Sequence, residues 1–93
     1  MNIFNALRVY AAKWNEKEVR GYTPEEIALV DRAEVVESQY GFSVMFVMRA
    51  GGQTYIPLDE NSSATVGTSV DLTKVKLVTL QRSGDKDIYR VRL

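Results

Sequence analysis

Neither cysteine nor histidine occurs among the 93 residues. Without cysteine there can be no disulfide, no thiolate nucleophile and no cysteine-held zinc or iron–sulfur centre. Without histidine the usual general base at neutral pH and the commonest metal ligand are both missing. Catalytic Ser–His–Asp and Cys–His arrangements are thereby excluded. No stretch reaches the roughly 18 uninterrupted apolar residues that a membrane-spanning helix needs. The opening MNIFNALRVYAAKWNEK lacks the basic start, apolar run and small-residue cleavage site of a secretory signal, so the expected location is cytoplasmic. There is no glycine-rich phosphate loop ending in Gly-Lys-Ser or Gly-Lys-Thr, and Gly51-Gly52 reads as a turn. Asp59, Glu60 and Asn61 offer oxygens but lack the alternating spacing and closing Glu of a calcium loop. The expectation is a non-enzymatic protein with neither metal nor cofactor.

What is present suits one folded domain spanning residues 1–93. Hydrophobic residues make up 45% and charged residues 26%, enough to build a core without staples. Net charge is zero, but it is unevenly laid out. Residues 1–73 carry six basic and ten acidic side chains, whereas residues 74–93 carry six basic (Lys74, Lys76, Arg82, Lys86, Arg90, Arg92) against two acidic (Asp85, Asp87). A basic C-terminal segment can mark a surface for an anionic partner. The same side chains also suit the solvated margin of an exposed sheet edge.

Periodicity divides the chain into a helical arm, residues 1–31, and a β region, residues 32–93. From Asn2 to about Lys17 the apolar residues Ile3, Leu7, Tyr10 and Trp14 recur at helical steps, and Phe4 and Ala11 widen the stripe. Large aromatics on such a stripe are usually core, which is the expectation for Trp14. Gly21 breaks the pattern. Thr23-Pro24-Glu25-Glu26 then combines a preferred N-cap, a first-turn proline and a capping-box acid, predicting a short helix from Pro24 to about Val30 that buries Ile27 with Val30 or Leu29. The cap accounts for Glu25 and Glu26 without invoking a catalytic pair.

Beyond Arg32 the period falls to two. Strands are expected at 33–40, 42–50, 53–58, 74–81 and 88–93. The second of these places Phe42, Val44, Phe46 and Met48 on one face and Ser43, Met45, Val47 and Arg49 on the other, as for a central strand covered on both sides. Gly51-Gly52 and Arg82–Lys86 read as hairpin loops, residues 59–69 as a long irregular connection, and Tyr89, Val91 and Leu93 as inward-facing. The expected fold is α+β and mainly β: an N-terminal helix and a short second helix, then a five-stranded antiparallel barrel whose closure removes exposed edges.

The segments AEVVESQYGFSVMFVMRAGGQTYIPL and VKLVTLQRSGDKDIYRVRL, separated by the long connection, resemble the OB-fold of single-stranded DNA-binding proteins; the small, cysteine-free chain is similar to compact phage-encoded members of that kind. The resemblance covers about two thirds of the chain and rests on strand layout. It implies binding on the face of the second and third barrel strands and their flanking loops: Phe42, Met45, Arg49, Gln53 and Tyr55, with Arg82 and Lys86 beside them. Independently of the resemblance, Tyr40, Phe42, Phe46 and Tyr55 are rings able to stack bases, and nearby cations could follow phosphates, the two ingredients of single-strand binding. Phe46 fits a core position better than a stacking one, while the Tyr40 and Tyr55 hydroxyls suit either. The nucleic-acid-binding set expected from the sequence is therefore Tyr40, Phe42, Arg49, Gln53, Tyr55, Arg82 and Lys86. A second class stays open: a protein-interaction module, such as an assembly subunit or an inhibitor of a host system, using the N-terminal helix and the two-sided strand and able to self-associate.

Overall fold

In the computed structural model residues 14–39, 41–82 and 86–93 are described. Strand β1 spans Asn15–Gly21, helix α1 Pro24–Ala28, and strands β2 to β6 span Val30–Ser38, Gly41–Met48, Gln53–Pro57, Lys76–Gln81 and Ile88–Arg92. They form two three-stranded antiparallel sheets, ordered β1-β5-β6 and β2-β3-β4. The sheets meet at a parallel bridge between Leu58 and Val91, reinforced by the Asp59 N–H donating to the Val91 carbonyl at 2.8 Å. This corrects the expected closed five-stranded barrel: among the described residues six strands form two sheets joined by one short backbone seam.

The extra strand comes from the stretch read as helical arm. The proposed helix over Asn2–Lys17 falls mainly on residues 1–13, outside the described residues, but Asn15–Gly21 is strand, not helix. The apolar stripe ends at Trp14, because the next helical positions on that face are Lys17 and Glu18. A helix there would have no apolar face to bury, whereas an extended chain gains a backbone ladder with β5 from Asn15↔Gln81 to Gly21↔Lys76, bulged between Glu16 and Glu18.

Helix α1 begins as its sequence predicts. Glu26 N–H donates to Thr23 Oγ1 at 3.1 Å, and Thr23 N–H donates to Glu26 Oε1 at 2.9 Å, completing the capping box. The helix stops at Ala28, two residues short of the expected end, with Leu29 as its C-cap. Ile27 and Val30 pack against the core, and Leu29 is left 61% exposed. Val30 already opens β2, three residues earlier than the period-two pattern indicates.

Strand β3 is central, as expected, between β2 and β4. Its Val44 and Phe46 are buried on the inner side, and Ser43 and Met45 are buried on the other. The core gathers Ala33, Val44, Phe46, Leu72, Val75 and Val91, with Tyr22, Ile27, Met48, Ile56 and Leu58 packed around it. In the other sheet β5 is central, and Leu77, Val78 and Thr79 are all buried. In β6 only Val91 is buried as the sequence reading requires; Tyr89 and Leu93 are 47% and 43% exposed. The long connection runs along the free edge of β2. Val35 N–H donates to the Thr68 carbonyl at 2.9 Å, Gly67 N–H to the Val35 carbonyl at 2.8 Å, and Val70 N–H to the Ala33 carbonyl at 2.9 Å. Residues 67–70 thus cover an edge that would otherwise present unpaired backbone groups. Among the described residues no helix is long and apolar enough to cross a membrane.

Candidate nucleic-acid interface

Period-two geometry decides which β6 side chains travel together. Register pairs Arg92 with Lys76, Arg90 with Val78 and Ile88 with Leu80, so these residues share one face of the β1-β5-β6 sheet. Trp14, just before β1, and residues 59–61, just after β4, rise beside that face. Between them lies a cleft of about 320 Å3 bordered by Trp14, Glu16, Glu60, Asn61, Arg90 and Arg92. A second cleft of about 330 Å3 lies against Phe42, Pro57, Leu58, Ser62 and Arg90. Asp59, Glu60 and Arg90 border both, so the two adjoin at the seam between the sheets.

The electrostatics separate anchored charges from available ones. Arg92 donates through Nε to the buried Asp59 at 2.7 Å and through Nη2 to Glu16. Glu16 first, then Asp59, raises the guanidinium pKa above its ordinary value, so Arg92 remains charged and tethered. Lys17 pairs with Asp87, Arg20 with Glu26 and Glu18, Arg32 with Glu34, Arg49 with Asp31, and Lys74 with Asp71. Among the described residues Lys76, Lys86 and Arg90 form no such pair, and all three belong to the β5–β6 hairpin. The Arg82 guanidinium lies 5.3 Å from the centre of the Trp14 ring, a cation–π contact covering one face of the indole.

The residues expected from the sequence are not gathered into one site. Phe42 has the parity of Val44 and Phe46, but it lies beyond the core at the start of β3; its ring is 45% exposed and borders the second cleft. Tyr55, opposite Met45, points from the other face of the sheet at 55% exposure and donates its hydroxyl to Gln53 Oε1 at 2.8 Å. Phe42 and Tyr55 are therefore on opposite sides. Arg49 is drawn away toward α1, donating through Nε to the Ala28 carbonyl at 3.0 Å. Arg82 stands over Trp14, and Lys86 is exposed across the same hairpin. Tyr40 lies outside the described residues. Phe46 is core, in ring contact with Tyr22 at 5.9 Å between centroids.

The clefts also bring together Trp14, Glu60, Asn61 and Arg90, none of which is in the set expected from the sequence. The common face of Ile88, Arg90 and Arg92 was readable from alternation alone. The position of Trp14 was not, because it depends on β1 being a strand. Among the described residues no group of three or more His, Cys, Asp or Glu side chains could hold a metal ion. No family model, curated protein or solved structure matches this chain.

Proposed function

We propose that this chain is a non-enzymatic, cofactor-free binding protein for single-stranded nucleic acid, and that the strand lies along the two clefts at the seam. The observation that carries this reading is the position of Arg90: a cation without an acid partner among the described residues, bordering both the Trp14 cleft and the Phe42 cleft. Bases stack on exposed ring faces at about 1–3 kcal/mol each, and a cation between two stacking sites meets the intervening phosphate. Lys76 and Lys86 add two further cations without an acid partner among the described residues to the same hairpin. Compared with the OB-like expectation, the ligand moves from the outer face of β3 and β4 to their junction with β6. With three or four cations engaged, the salt dependence is modest, a log–log slope of roughly −2 to −3.

Fluorescence anisotropy of a labelled mixed-sequence 15-mer at low salt tests the reading. Micromolar binding that weakens along that slope, quenches Trp14 emission and falls at least about fivefold in Arg90→Ala is expected. Absence of salt-sensitive binding at micromolar protein would end it.

A protein-interaction role is the second reading. It is favoured by an apolar hollow of about 200 Å3 lined by Tyr22, Leu29, Val30, Phe46, Met48 and Ile56, with the exposed Leu29 among its lining residues. Light scattering at high protein concentration would show self-association that Leu29→Asp abolishes; a monomer at all concentrations would remove that form of it.

A further inference from the structure

Within the Trp14 cleft, three acids have different availabilities. Glu16 and Asp59 are both bound to Arg92. Glu60 is exposed, and among the described residues its side chain makes no hydrogen bond or ion pair; the Asn61 carboxamide beside it is likewise unengaged. Arg82 covers one face of the indole, while the ring also borders the cleft that Glu60 and Asn61 share. Glu60 and Asn61 line the same cleft as Trp14, so a base stacked on the ring inside it shares that space with these two side chains. An ionised carboxylate only accepts hydrogen bonds, so it favours edges that donate. Cytosine offers its N4 amino group, the standard partner of Glu and Asp in base recognition. Thymine, of the same ring size and similar stacking area, offers O4 in that place, and two acceptors then face each other.

We propose that the cleft discriminates between bases, with Glu60 accepting from the exocyclic amino group of a cytosine stacked on Trp14 and Asn61 holding the rest of that edge. Bound single strands therefore favour cytosine over thymine at this position. This inference rests on the nucleic-acid reading of the same clefts and specifies what that reading leaves open.

The test compares dC12 and dT12 by anisotropy at neutral pH, against the wild type and Glu60→Gln. A good carboxylate-to-base contact discriminates by about 1–3 kcal/mol, so dC12 is expected to bind roughly fivefold or more tightly than dT12. Glu60→Gln carries both a donor and an acceptor, so it should bring the two within about twofold of each other while leaving both bound. Equal binding of dC12 and dT12 by the wild type, a preference for dT12, or a preference unchanged by Glu60→Gln would overturn the base-reading inference alone. Failure of both oligonucleotides to bind would overturn the underlying nucleic-acid reading as well.

Discussion

The hydroxyl of Tyr22 is buried in the wall of the apolar hollow and has no hydrogen-bond partner among the described residues. Leaving such a group unmet costs about 1–3 kcal/mol, so its removal should help. Tyr22→Phe keeps the ring that packs on Phe46 and is expected to be equally stable or about 1 kcal/mol more stable at pH 7. The pH dependence is more discriminating. Burial first, with the Glu26 charge adding to it and Arg20 opposing, pushes the phenol from an ordinary value of 10.0 up to about 12. The folded-state pKa is thus raised above the unfolded one. The neutral phenol's contribution is fully present below about pH 10 and is lost as pH rises toward about 12. Linkage makes that loss about 2 kcal/mol by pH 11.5. Urea unfolding of both proteins from pH 7 to 11.5, followed by far-ultraviolet circular dichroism, measures it. The stability gap in favour of Tyr22→Phe should widen by about that amount, with the other tyrosines cancelling between the two proteins. A gap that stays constant, or a variant more than about 1 kcal/mol weaker at pH 7, would refute the unpartnered, buried hydroxyl.

Glu26 is expected to act at the opposite end of the pH scale. Arg20 first, at 2.7 and 3.0 Å, and then the Thr23 N–H hold its carboxyl down at about 2. Its contribution is present above the ordinary 4.5 and lost as pH falls through about 2. With 38% of the side chain exposed, Glu26→Gln should cost about 1 kcal/mol at pH 7 and flatten the acid limb of the stability profile, read by urea titration. Gly52 has φ of +83° with open space around its missing Cβ, so Gly52→Ala should cost about 1 kcal/mol through backbone strain alone. Gly21→Ala, where a Cβ would meet only Lys76 Nζ at 3.7 Å, should be neutral or slightly stabilising in the same assay.

Local chemistry was legible wherever neighbours in sequence decide the outcome. The Thr23–Glu26 box starts α1, Gly51-Gly52 turns β3 into β4, and alternation from Phe42 to Met48 places Val44 and Phe46 inside. What failed was decided by distant partners. Residues 15–19 are all exposed and carry no strand pattern; they are strand because β5 supplies the ladder. Leu93 alternates correctly but runs past the last paired residue, and Tyr89 shares the face of Val91 and Thr79 yet is left 47% exposed. The candidate site suffered for the same reason. Its aromatic wall is set by where β1 begins, and its seam by a contact between Leu58 and Val91, neither of which any periodicity encodes. Charge asymmetry drew attention to the C-terminal hairpin, but only the ion-pair geometry separates Arg90 from the tethered Arg92.

The pairing of β1 with β5 also dictates a timetable. More than fifty residues intervene between each β1 position and its partner. As the chain leaves the ribosome, the strand that emerges first must wait for the one synthesised second to last, while β2, β3 and β4 can zip together by hairpins of short span. The β2-β3-β4 half should therefore assemble early. The half that carries Trp14 and Arg90 should close last, so that loss of the final hairpin would abolish the Trp14 cleft and leave β1 an unpaired edge.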